Sequence, residues 1–60
     1  MIEYIYNWED DLVFKLDRKN EKYFAKRSNR DEVEVPFEHK SLQLAIMSGE
    51  KITKEEYDSF

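Results

Sequence analysis

The chain has 60 residues, 14 acidic against 10 basic, with one glycine, one proline and no cysteine. A chain this short hides only roughly 60% of its unfolded surface, so an enclosed substrate pocket and metabolic catalysis are not expected. Without cysteine there is no disulfide framework and no thiolate zinc site, and stability must come from packing or from a partner. No apolar run approaches the roughly 20 residues that cross a bilayer. The opening residues lack the basic and apolar regions of a secretory signal, so a cytoplasmic location is expected.

Charge at 40% could suggest disorder, but nine of the 60 residues are aromatic. Large rings bury enough surface to offset the entropy of ordering, and disordered chains are poor in them. The expectation is one folded domain over residues 1–60.

Ile2, Tyr4, Tyr6 and Trp8 recur at every second position, the period of a strand. Asn7-Trp8-Glu9-Asp10-Asp11 then reads as a turn, rich in side chains that bond their own backbone. Leu12, Phe14 and Leu16 alternate through a second strand. Asp17-Arg18-Lys19-Asn20-Glu21 supplies a polar turn in which Asn20 is the residue expected to take a positive φ. Lys22 to Arg27 returns as a third strand, and Ser28-Asn29-Arg30-Asp31 turns again. Val33, Val35 and Phe37 alternate with acids as a fourth. The first two thirds therefore form an antiparallel meander of three to four strands.

The last third changes period. Leu42, Leu44, Ala45, Ile46 and Met47 form one apolar helical face, predicting a helix over about 38–48. Pro36 ends the preceding strand and is suited to a first helical turn, and Gly49 stands where a left-handed C′ residue is wanted. Thr53 and Glu56 have the spacing of a capping box, with Ile52 and Tyr57 as its hydrophobic staple, predicting a short second helix docked through Tyr57 and Phe60. The fold class expected is α+β: a small antiparallel β-meander followed by one helix and a short C-terminal helical turn.

The net charge of −4 conceals a segregation. Residues 1–14 carry four acids and no base, residues 15–30 seven bases against two acids, and residues 31–60 eight acids against three bases. A basic hairpin thus lies between acidic segments. One use of it is nucleic-acid binding, with Lys22, Lys26, Arg27 and Arg30 on phosphates and Tyr23 stacked on a base. The simpler use is cross-strand pairing with Glu32 and Glu34, which also discourages edge-to-edge aggregation. Overall acidity favours the simpler use. A nucleic-acid mimic would need a larger acidic excess than this.

Chemistry is sparse. Glu9-Asp10-Asp11 lacks the spacing and the glycine of a calcium loop. His39 is the only histidine, and beside a helix start it suits a surface or capping role. The serines have no nucleophile context, and one glycine cannot make a phosphate-cradling loop. The expectation is a non-catalytic protein without cofactor or metal. It would dock on a larger protein, a host protein included, and inhibit or adapt it; reading frames of this size are common in phages and mobile elements. The aromatic stripe Tyr4, Tyr6 and Trp8 serves either as core or as that partner's contact, with Trp8 the ring expected to stay exposed. A small self-associating structural subunit is the remaining alternative.

Overall fold

The computed structural model describes residues 1–60. Strands β1 (Ile2–Asn7), β2 (Leu12–Asp17), β3 (Lys22–Lys26) and β4 (Val33–Val35) run in meander order, followed by helix α1 (Lys40–Ser48), the two-residue strand β5 (Glu50–Lys51) and helix α2 (Lys54–Ser59). All pairs are antiparallel, and the sheet order is β4-β3-β2-β1-β5. This is the expected α+β meander with one addition: β5, too short to show a period, closes the outer edge of β1.

The register places Ile5 opposite Phe14 and Phe14 opposite Ala25, with Leu16 opposite Tyr23. Successive side chains alternate between faces, so Ile5, Leu12, Phe14, Leu16, Tyr23 and Ala25 share one face. Leu42 and Ala45 of α1 complete that core, and Phe14, Leu16 and Leu42 are fully shielded from solvent. The opposite face carries Tyr4, Tyr6, Val13, Lys15 and Phe24, and α2 lies over it. Tyr57 stacks at 5.1 Å on Tyr4, and Phe60 lies 5.6 Å from Tyr6. The sheet is thus covered on both faces, and Val13 and Tyr57 are as buried as the main core.

The first two of the three β-hairpins are built alike. Asn7 pairs with Leu12 and Asp17 with Lys22, leaving four residues in each turn. The last of the four, Asp11 or Glu21, takes a φ of 55°. The positive φ expected at Asn20 therefore falls one residue later. Asn20 instead gives its backbone and side-chain N–H groups to the Asp17 carboxylate, at 3.3 and 2.9 Å.

Helix α1 starts later than expected and for a different reason. His39, not Pro36, governs its entry: the His39 Nδ1 accepts from the Leu42 amide at 3.4 Å as an N-cap. Pro36 ends β4 one turn earlier, its carbonyl accepting from the His39 amide at 3.0 Å. Gly49 also departs from expectation. Its φ of −76° and ψ of 175° are extended, not left-handed. What demands glycine is proximity, because a Cβ there would lie 2.5 Å from the Ala45 carbonyl oxygen and 2.7 Å from Ile5 Cγ2. The missing side chain lets the helix end directly in β5. Helix α2 has the expected capping box, with Glu56 N–H donating to Thr53 Oγ1 at 3.1 Å and Thr53 N–H to Glu56 Oε1 at 2.8 Å.

Candidate functional site

The stripe Tyr4, Tyr6 and Trp8 divides. Tyr4 and Tyr6 lie half-buried under α2 against Tyr57 and Phe60, so part of each ring belongs to the second core. The reason is α2 itself: an amphipathic turn of helix with two terminal rings needs an aromatic platform to persist. Trp8 escapes because it lies beyond β1, in the turn, and it is 62% exposed.

That turn is held from several sides. Asn7, only 4% exposed, accepts at Oδ1 from the Glu9 amide at 3.0 Å and the Asp10 amide at 3.4 Å. Its Nδ2 donates to the Ser41 carbonyl at 3.0 Å and to Asp10 Oδ2 at 3.3 Å. The Ser41 hydroxyl donates to the same Asp10 carboxylate. Asp11 accepts from the Tyr6 hydroxyl at 3.1 Å, and this contact, with burial and the negative charge nearby, holds the Tyr6 phenol above its ordinary pKa. Two of the three carboxylates are therefore engaged within the turn and with α1. The indole is left without a partner. Turn chemistry was readable in Asn7-x-Glu9-Asp10, but the tie to Ser41 spans 34 positions and left no local signal.

The basic hairpin divides as well. Lys22 pairs with Glu34 at 3.8 Å and Lys15 with Glu32 at 3.1 Å, while Arg18 bonds Glu3 at 2.9 Å. Cross-strand complementarity thus accounts for part of the charge. Lys26, Arg27 and Arg30 make no ion pair and line one groove with His39. Tyr23, expected as a stacking ring for nucleic acid, is buried in the α1 core and stacks at 5.1 Å on Phe37. It faces inward because Leu16, its neighbour in register, is on the core face. Little of the ring is left at the surface for a base to stack on.

On the α2 face the Tyr57 hydroxyl donates to Glu32 Oε1 at 2.7 Å, and Lys15 bridges to the same carboxylate. The Lys15 ammonium lies 4.7 Å from the Phe24 ring centroid and 6.0 Å from that of Tyr57. Burial and the Glu32 carboxylate push the Tyr57 phenol far up. For Glu32, burial raises the pKa, but the Tyr57 and Lys15 hydrogen bonds outweigh it and the net direction is down. No group of three or more acidic or histidine side chains is placed to hold a metal, and no helix is long and apolar enough to cross a membrane. Comparison with protein-family models, with curated proteins and with solved structures returns no match.

Proposed function

We propose that the protein is a non-catalytic binding module that docks on a larger protein through Trp8. The observation that carries this reading is a large exposed indole on a turn whose flanking side chains are fastened. Exposed tryptophan on an ordered turn suits binding twice over. The ring buries a large apolar area on contact, and little conformational freedom is lost because the turn is already set. Tryptophan is also among the residues that most often dominate interface energetics.

The surroundings indicate the receiving site. Glu9, Asp10 and Asp11 make a negative collar, so the partner presents an apolar pocket with a basic rim. Binding there would inhibit the larger protein if the pocket is its working site and adapt it if the pocket lies elsewhere. The test is affinity capture from a cell lysate, followed by titration of the captured protein with wild type, Trp8→Phe and Trp8→Ala. Truncation of a hot-spot tryptophan costs about 2 kcal/mol or more, or about 30-fold in affinity, and phenylalanine should retain part of it. Thermal stability should differ little among the three, since most of Trp8 is exposed. An alanine variant that binds the partner as tightly as wild type overturns the reading.

A further inference from the structure

The outer edge of β4 is uncovered, and its two ends carry opposite charge. At the Val33 end, Lys26, Arg27 and Arg30 line a groove floored in part by Val33 and Val35, with Asp31 the only acid. At the Pro36 end, a second groove runs past Val35 and Phe37 and is lined by Glu21, Glu34 and Glu38 with no base. Neither set is neutralised within the chain: Lys26, Arg27, Arg30, Glu21 and Glu38 make no ion pair, and Glu34 has only the 3.8 Å contact with Lys22. Each end also exposes apolar surface, with Val33 59% exposed at the basic end and Phe37 41% exposed at the acidic end. The strand is three residues long, so the two charged ends are about 10 Å apart.

We propose that this edge pairs with the β4 edge of a second copy of the chain, antiparallel about a two-fold axis. Antiparallel pairing reverses one strand against the other, so the basic end of each copy meets the acidic end of its mate, and the match occurs twice. Parallel pairing would set cation on cation and acid on acid, so the charge pattern selects one orientation. The two-fold contact is self-complementary and closes on itself, giving a dimer and not a fibre. The free backbone groups of β4 supply the ladder, and Val33 and Phe37 gain cover. The edge is short, so the association is weak and appears as concentration rises. This surface is separate from Trp8, and neither proposal requires the other.

Sedimentation equilibrium from micromolar to millimolar protein tests it. The average mass should rise from 7.4 kDa toward twice that value. Arg27→Glu/Arg30→Glu makes both ends acidic, and Glu21→Lys/Glu38→Lys makes both ends basic. All four side chains are exposed, and circular dichroism checks that each variant keeps the fold. Each variant alone should stay at the single-chain mass, while an equimolar mixture should recover the doubled mass. Slowed hydrogen exchange at the β4 amides should accompany dimer formation. A wild-type mass that stays single at millimolar concentration overturns the proposal. So does doubling that both variants retain, or a mixture that fails to associate. Binding of a short single-stranded oligonucleotide that Arg27→Glu/Arg30→Glu abolishes, without self-association of the wild type, would assign the basic groove to nucleic acid instead.

Discussion

The two faces of the sheet are covered by different chemistry. Under α1 the contacts are apolar and aliphatic at the centre, with Leu42 and Ala45 set into Ile5, Phe14 and Leu16 and with Tyr23 at one side. Under α2 they are rings and a polar latch, in which Tyr57 donates to Glu32 and Lys15 bridges to the same carboxylate. The first face draws mainly on apolar burial, which responds weakly to pH, with Asn7 and Ser41 tying α1 to the first turn. The second depends on one carboxylate keeping its charge. A chain of 60 residues has little apolar volume to spare for a second core, and the second face shows how tyrosines and a lysine stem supply one.

The largest break in this contrast is Leu42→Ala. The side chain is fully buried, and its loss should cost about 2–5 kcal/mol, enough to unfold much of the protein in chemical denaturation. Tyr57→Phe tests the other face. It keeps the ring against Tyr4 and removes only the hydroxyl, so about 1 kcal/mol is expected. The loss should be concentrated in α2, read as faster hydrogen exchange at residues 54–59 with β2 and β3 unchanged. Uniform loss of protection across the sheet would show that the faces are not separable. Acidification is the gentlest probe. Because the folded-state pKa of Glu32 is depressed, its stabilising effect is complete above the ordinary glutamate pKa and is lost as pH falls through the folded-state value. The Tyr57 ring resonances should therefore shift in acid before those of Phe14, and Tyr57→Phe should diminish that early step.

Much of this architecture is legible in residue order. The alternation of Leu12, Phe14 and Leu16 and the Thr53–Glu56 capping box are local patterns with local causes, and they specify β2 and the start of α2. What escaped notice depends on distant neighbours. Gly49 reads as a helix stop, yet its role is set by Ile5 and Ala45, and no pattern around residue 49 reveals that approach. Positive φ moved from Asn20 to Glu21 because Asn20 is occupied by Asp17. Tyr4, Tyr6 and Trp8 look equivalent at period 2, but only the docking of α2 separates two half-buried rings from one exposed. The groups bearing on the proposed Trp8 site are partly visible for the same reason: Asn7 announces a turn, whereas its anchor at Ser41 comes from the fold.

The position of β1 has a consequence for the order in which the molecule is made. It precedes the other strands in chain order, yet it is flanked by β2 and by β5, whose residues 50 and 51 follow α1. While translation proceeds, β1 can form a hairpin but keeps one side bare. The ladder on that side closes only after α1 has been threaded across the sheet and Gly49 has seated against Ile5. Such late, long-range closure is slow relative to the hairpins and leaves a transient edge open to mispairing. A growing chain would therefore pass through a meander stage in which β1 as well as β4 is an open margin.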